Sequence, residues 1–325
     1  MMDYRTKVRA LVGANAVLIL LLVLGLVFSP ERRSDRASRR RLLEDAKPVA
    51  SIRLGGAETV ELRKEGETWV MVDSGGVLPV DTARVKAFVD AVAAVDRLQP
   101  VSGDRASWQS LGLEGDKART VVMATASGTT LLDMIVGSYA NTGGQVYVAL
   151  SEGDQSWSAP AGFASYAMSD RASWLELEAW AAAPAAKDVQ EVSVTGSITV
   201  GDGEVLETGY TLAREGTGWA VRGGTQATVD VAKVEAMLRA ILALRGEDYA
   251  PASEKAGTAA LAVELRLGDG SSLKLVVEAR RDDQRYAATS SQRQRRLYLP
   301  SWSIREAVKK LSDLVAAPAP APATP

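Results

Sequence analysis

The segment Glu61-Leu-Arg-Lys-Glu-Gly-Glu-Thr-Trp69 returns later in the chain as Tyr210-Thr-Leu-Ala-Arg-Glu-Gly-Thr-Gly-Trp219. A second matching pair follows the tryptophans, Val80-Asp81-Thr-Ala-Arg-Val85 and Val229-Asp230-Val-Ala-Lys-Val234. Further on, Trp157-Ser-Ala-Pro160 corresponds to Leu297-Tyr-Leu-Pro300. Because the matches keep their order over most of the chain, they predict one structural module that is present twice.

Within each copy, short runs with alternating apolar residues give way to a helical pattern at corresponding points. Asp81 and Asp230 are good N-caps for these helices. Residues 163–167 and 172–180 are expected to close the first copy with helices, and residues 304–315 the second. The expected fold class is α+β, with an N-terminal transmembrane helix followed by two tandem copies of a strand-rich α+β module.

A chain of 325 residues is long enough for two domains of ordinary size. The predicted organisation divides it into seven segments. A linker rich in alanine separates the two copies, and a tail of proline and alanine ends the chain. The segments are a cytoplasmic N-terminus (1–9), a transmembrane helix (10–28), a charged juxtamembrane linker (29–48), the first repeat (49–180), a joint (181–188), the second repeat (189–315) and a disordered tail (316–325).

The transmembrane helix is predicted from an uncharged apolar run, Ala10 to Phe28, which is long enough to span a bilayer. The alternative is a cleaved signal peptide, but the run is longer than the apolar region of a typical signal peptide, about 7–15 residues. Arginines flank the run more heavily on its C-terminal side, so the charges on their own do not fix the orientation.

The amino-acid composition excludes several kinds of catalytic and metal-binding site. The chain has no cysteine and no histidine. It therefore has no disulfide, no Ser-His or Cys-His couple, and neither of the commonest ligands of transition metals. Gly201-Asp-Gly203 and Gly268-Asp-Gly270 are better explained as hairpin turns than as nucleotide-binding loops. We expect no enzyme, no catalytic residue, no metal and no cofactor, although a Ser-Lys dyad assembled in space is left open.

Charge separates the N-terminal segment from the body. Residues 1–45 carry nine Lys or Arg against five Asp or Glu, which leaves 29 against 35 for the remainder. An acidic body argues against nucleic acid as a partner. One basic cluster stands out in it, and we consider it a candidate contact for anionic lipid headgroups or an acidic partner. The alternative is a solvated strand edge. The cluster consists of Arg280, Arg281, Arg285, Arg293, Arg295 and Arg296.

The layout resembles a bacterial family called "domain of unknown function 4340". The resemblance covers about residues 45–315, although the second copy lacks the Leu-Gly-Leu segment. It rests on Lys64-Glu-Gly66-Glu-Thr-Trp69, Val80-Asp81-Thr-Ala-Arg-Val85, Leu111-Gly112-Leu113, Ser127-Gly128-Thr129, Val146-Tyr147-Val148 and Ser169-Asp170-Arg-Ala-Ser-Trp174-Leu175.

The resemblance implies an accessory role in the cell envelope beside gliding-motility-type ABC transporters, with the body outside the cytoplasm and no catalytic residues. We therefore expect a non-enzymatic, single-pass protein of the inner membrane. Its expected partners are membrane lipid and a membrane protein such as the subunits of an ABC transporter. The alternative is an extracytoplasmic binding module that captures a peptide, glycan or lipid between its two repeats.

Overall fold

The structure is a computed structural model that describes residues 41–43, 48–141, 143–201, 203–223, 227–280 and 285–316. The chain divides into two compact units. The first unit takes in the described residues up to Val72 together with Val80–Trp174. The second takes in Asp73–Pro79 and the described residues from Leu175 onward.

The first unit is built on an antiparallel sheet in which consecutive neighbours run β3-β2-β1-β6-β7-β8-β9-β5. Its helices are short except for the one that Asp81 caps. The strands are β1 (Ser51–Gly55), β2 (Val60–Glu65), β3 (Thr68–Asp73), β5 (Gln99–Ser102), β6 (Arg119–Ala124), β7 (Thr130–Tyr139), β8 (Gln145–Leu150) and β9 (Ser156–Pro160). The helices are α1 (Thr82–Ala93), α2 (Trp108–Leu111) and α3 (Ala164–Ala167), with 3-10 turns at Arg105–Ser107, Gly115–Lys117, Ala161–Phe163 and Arg171–Trp174. Strand β4 (Gly76–Pro79) belongs to the second unit.

The second unit repeats this plan. Its antiparallel sheet has the order β12-β11-β10-β14-β15-β16-β17-β13, which matches the order in the first unit strand for strand. The strands are β10 (Val189–Val200), β11 (Glu204–Glu215), β12 (Gly218–Arg222), β13 (Asp248–Tyr249), β14 (Ala259–Leu267), β15 (Ser272–Glu278), β16 (Tyr286–Ser290) and β17 (Leu297–Leu299). The helices are α4 (Val231–Leu242), α5 (Ser301–Ala307) and α6 (Leu311–Leu314), with a 3-10 turn at Ala186–Asp188.

The predicted α+β class is wrong, because the described chain consists mostly of two antiparallel sheets with few helices. The expected helix over 304–315 is interrupted at Val308–Lys310, where the backbone is extended. Strand β10 runs without interruption from Val189 to Val200. Gly196 lies inside this strand, where a Cβ atom would stand 2.1 Å from the carbonyl oxygen of Ala260. Glycine at this position therefore permits close pairing of two strands.

The predicted transmembrane helix (10–28), most of the charged linker and the tail beyond Ala316 lie outside the described residues. Within the described ranges, no helix combines the length and the apolar character needed to cross a membrane.

In each unit, a backbone hydrogen bond joins the residue that caps the long helix to the last 3-10 turn or helix of the unit. The side chain of Asp81 accepts a hydrogen bond from the Arg84 N–H, and that of Asp230 accepts from the Ala232 and Lys233 N–H groups, which confirms both predicted N-caps. The Asp81 backbone N–H donates to the Trp174 carbonyl at 3.0 Å, and the Asp230 N–H donates to the Leu314 carbonyl at 2.8 Å. The final 3-10 turn or helix of each unit is thereby held beside the long helix.

The Leu111-Gly112-Leu113 segment of the first unit is explained by a close approach of two backbones. Gly112 ends α2 in the left-handed conformation, with φ 71°. A Cβ atom there would stand 2.9 Å from the backbone nitrogen of Ser138. Gly137 on β7 faces the same contact, because its Cβ atom would stand 2.5 Å from the Leu111 carbonyl oxygen. Only glycine fits at both positions.

We expect Gly112→Ala to be clearly more destabilising than Gly128→Ala. Both glycines have positive φ, but nothing lies within 4 Å of a Cβ atom added at Gly128. Gly128→Ala should therefore cost only the strain of the left-handed conformation, about 1–2 kcal/mol. Gly112→Ala should add about 1–3 kcal/mol from overpacking. Chemical denaturation of the full-length variants in mild detergent measures the difference, and equal midpoints would contradict the close approach.

Candidate functional site

A surface groove of about 470 Å³ lies on the second unit, between α4 and the chain segment that carries α5 and α6. Its floor is apolar and its rim carries two cations and two carboxylates. We call it the α4 groove, and it is lined by Lys233, Ala236, Met237, Ala240, Glu306, Lys309, Asp313 and Leu314.

The residues of α4 that line the groove lie on one face of the helix. Lys233, Ala236, Met237 and Ala240 follow one another at intervals of one turn or less, so they form a stripe along the helix. Met237 is buried, whereas Ala236 is exposed. The two alanines leave room that a larger side chain would occupy. Small residues on α4 therefore contribute to the depth of the groove.

Tyr210 of β11 closes the groove from below. Its hydroxyl donates to the Lys309 carbonyl oxygen at 2.8 Å and lies 3.3 Å from the sulfur of Met237. Burial raises the pKa of Tyr210, and the negative charge of Asp313 raises it further. The phenol therefore stays protonated at neutral pH. Tyr210 connects the sheet to the two sides of the groove and is not available as a base.

The four charged side chains at the rim of the groove differ in the hydrogen bonds and ion pairs that they form. Lys309 Nζ donates to the Arg305 carbonyl oxygen at 2.8 Å, and Lys233 Nζ lies 3.5 Å from the Val315 carbonyl oxygen. Asp313 accepts a hydrogen bond from the Lys310 N–H at 3.3 Å. The carboxylate of Glu306 is exposed and forms no ion pair or hydrogen bond with any of the described residues. A ligand of the groove would meet apolar surface first and this carboxylate at its edge.

The corresponding place in the first unit is filled. The caps Asp81 and Asp230 align α1 with α4, and Pro160 and Pro300 align the segments that close each unit. On these alignments, aromatic residues of the first unit take three of the positions that line the groove of the second. Arg84 corresponds to Lys233, Phe88 to Met237, Tyr166 to Glu306, Ser169 to Lys309 and Trp174 to Leu314.

These first-unit residues form an aromatic cluster, which we define as Phe88, Tyr166 and Trp174. The ring centroids of Phe88 lie 5.8 Å from those of Tyr166 and 5.5 Å from those of Trp174. The guanidinium of Arg84 lies 5.2 Å from the centroids of both Tyr166 and Trp174, and it donates to the hydroxyl of Ser169 at 2.7 Å. Phe88 and Trp174 are fully buried. The cluster thus occupies the space that the second unit leaves open.

The structure gives most of the predicted basic cluster intramolecular contacts. Arg296 pairs with Glu278 at 2.9 Å and lies 3.7 Å from Glu254. Glu278 is 5% exposed and also accepts the Gly257 N–H at 2.7 Å. Tyr298 donates to Glu254. This network attaches the loop before β14 to strands β15 and β17.

The other arginines are placed as follows. Arg293 pairs with Glu176 at 2.8 Å and donates to the Glu178 carbonyl at 2.9 Å. Arg285 stacks over Tyr298 at 4.2 Å, and Arg280 donates to the Gly201 carbonyl at 2.5 Å. Arg295 is half-buried, and Arg281 lies outside the described residues. The contact with an anionic partner stays a prediction, and the structure shows that Arg293 and Arg296 also hold the second unit together.

The sequence did not point to the α4 groove, because its lining residues form no motif. The available signal was a difference between the copies, namely aromatic residues at Phe88, Tyr166 and Trp174 that the second copy replaces. Within the described part of the chain, no group of three or more Asp or Glu residues is placed to hold a metal ion.

Comparison with protein families identifies the class of the chain. Residues 69–262 match a family described as "Domain of unknown function (DUF4340)". The chain belongs to this family, which confirms the resemblance seen in the sequence motifs. The match includes α4 and ends before α5 and α6. No curated protein and no solved structure matches the chain.

We expect Arg296→Met to destabilise the second unit by about 3–5 kcal/mol, because it removes the guanidinium that pairs with the buried Glu278 carboxylate. Adding Glu278→Gln should recover part of the loss, since the amide oxygen can still accept the Gly257 N–H. Arg295→Met is the matched control and should change stability little. Denaturation midpoints of the full-length variants test this. A midpoint for Arg296→Met equal to that of the control would argue against the network.

Tyr249 gives the stability a dependence on alkaline pH. Its hydroxyl donates to the Glu176 carbonyl, and burial raises its pKa to about 12 from the ordinary value of 10.0. Between these values the unfolded chain releases a proton that the folded chain retains. The stabilisation by this group is therefore complete below about pH 10 and is lost as the pH approaches 12.

Tyr249→Phe should consequently be less stable than the wild type at neutral pH, because it lacks the hydrogen bond to Glu176. The difference between the two proteins should shrink above pH 10. Denaturation midpoints measured across this range compare them, and a difference that stays constant with pH would show that the folded state does not retain this proton.

Proposed function

We propose that this chain is a non-enzymatic accessory protein of the bacterial cell envelope that binds a partner protein through the α4 groove. The observation that carries the proposal is the contrast between the two units. The first unit fills this place with its own aromatic side chains, whereas the second leaves an open groove with an apolar floor and a charged rim. Apolar depressions with a few polar groups at the edge are typical binding sites.

The chemistry of the lining residues favours binding over catalysis. The groove is lined by alanine, methionine, leucine, lysine and carboxylates, which include no hydroxyl or thiol nucleophile. The hydroxyl of Tyr210 below the groove donates to the Lys309 carbonyl, and burial raises its pKa. A site of this composition can hold an amphipathic segment and orient it through charges at the rim.

The N-terminal sequence and the family resemblance support a place of action at the membrane. The apolar run Ala10 to Phe28 supports a single-pass anchor in the inner membrane, and we place the two units outside the cytoplasm. The subunits of an ABC-type transporter are the partner class that we propose, on the strength of the family resemblance. In this arrangement the anchor keeps the groove close to membrane-embedded subunits, so that even a modest affinity is sufficient.

Ala240→Glu should reduce partner binding, because it places a charge on the apolar floor of the groove. The test is affinity purification of the full-length protein in mild detergent, followed by identification and quantification of the proteins that co-purify. We expect a transporter subunit with the wild type and at least about a tenfold loss with the variant, equivalent to about 1.4 kcal/mol.

Ala91→Glu is the matched control, since Ala91 is a half-buried alanine at the corresponding position of α1. It should retain the partner. Melting temperatures of both variants show whether the fold is preserved. A wild-type protein that purifies without any partner, or equal losses with both variants, would count against the proposed function.

A further inference from the structure

We infer that the occupant of the α4 groove is a segment of the partner polypeptide that inserts an aromatic side chain, with a basic residue beside it. The inference rests on the proposed function and adds the chemistry of the segment. Its starting point is that the two units share one architecture but complete it differently. What the first unit supplies from its own chain, the second is expected to receive from another.

The first unit shows what this architecture accommodates. Trp174 and Phe88 pack edge to face, with an interplanar angle of 62°, and Tyr166 lies beside them. In the second unit the same three positions are Leu314, Met237 and Glu306. The backbone that carries them is anchored in the same way, by the hydrogen bond from the helix cap to residue 174 or 314. The missing volume in the second unit is therefore that of aromatic rings.

The floor of the α4 groove suits a ring. Met237 and Leu314 are each 1% exposed, so they form fixed walls, and the alanines leave space above them. Methionine sulfur makes favourable contacts with aromatic rings, worth about 0.3–1.5 kcal/mol. Lys233 occupies the position of Arg84, whose guanidinium lies over two rings in the first unit. Its ammonium can make the equivalent cation–π contact with an inserted ring.

The charges at the rim specify the neighbour of the aromatic residue. Glu306 stands where the first unit has Tyr166, and its exposed carboxylate forms no ion pair with any of the described residues. Asp313 adds a second carboxylate on the same side of the chain. A lysine or arginine next to the aromatic residue would complement them. A lipid acyl chain would satisfy neither the carboxylates nor the short, closed floor.

Site-specific photo-crosslinking in intact cells tests the inference. A photoreactive benzoylphenylalanine replaces Ala236, which is exposed within the groove, and in a matched control it replaces Ala87 at the corresponding position of α1. Mass spectrometry then identifies the crosslinked peptide. We expect a partner peptide with an aromatic residue adjacent to Lys or Arg, crosslinked from Ala236 and not from Ala87.

A synthetic peptide of the crosslinked segment then measures the contribution of each feature. Replacing its aromatic residue with alanine should weaken binding to the full-length protein by about tenfold or more, as expected for an anchoring side chain. Glu306→Gln should weaken binding of the same peptide and reduce the dependence of binding on salt. The peptide change leaves the protein unaltered, so the result does not depend on how a variant folds.

The double variant Glu306→Tyr with Leu314→Trp provides a complementary measurement. It gives the second unit the residues that fill the place in the first, so we expect a higher melting temperature and loss of the crosslink. A crosslinked partner segment without an aromatic residue, or an alanine peptide that binds equally well, would overturn the inference and leave the proposed function standing. Crosslinks to lipid alone, or none from Ala236, would overturn both.

Discussion

The hydrogen bond from the backbone of each helix cap to the end of its unit is the constraint on which the rest depends. Asp81 donates to Trp174 and Asp230 donates to Leu314, at nearly the same distance. The cap side chain starts the helix, and the backbone of the same residue fixes the returning chain beside it. Whatever side chain stands at position 174 or 314 is thereby placed against the long helix, as a ring in one unit and as the floor of a groove in the other.

The two units share one architecture but fill it with different side chains, which leaves an open groove in the second unit without any new element. The sheets keep the same strand order, and the core residues on their strands are buried in both units. Replacing aromatic residues at the surface end of the module removes contacts without exposing the sheet. Below the groove, Tyr210 of the sheet contacts Met237 of α4. Met237 and Leu314 then form the apolar floor of the open groove.

The basic cluster illustrates how charge in a sequence can serve the interior. Arg293 and Arg296 attach loops to the second sheet through Glu176, Glu254 and Glu278. The glutamates that pair with these arginines are distant from them in the sequence. In the sequence alone, the arginines therefore form an isolated basic patch. Its cations nevertheless pair with carboxylates of distant segments, and loss of Arg296 removes the guanidinium that pairs with the buried Glu278. A surface role for the more exposed members is compatible with this arrangement.

The sequence by itself determined the N-caps at Asp81 and Asp230 and the family of the chain, because caps and turns are set by residues that are neighbours along the chain. The dominance of the antiparallel sheets and the α4 groove were decided only by the tertiary structure. Strand β10 continues past Gly196 because β11 pairs with it as far as Val200, while β14 pairs with it up to Gly196, and no local pattern shows this pairing. The groove lies where Leu314 and Met237, which are distant in sequence, line the same space. Whether this space is open depends on the volume of the side chains that line it.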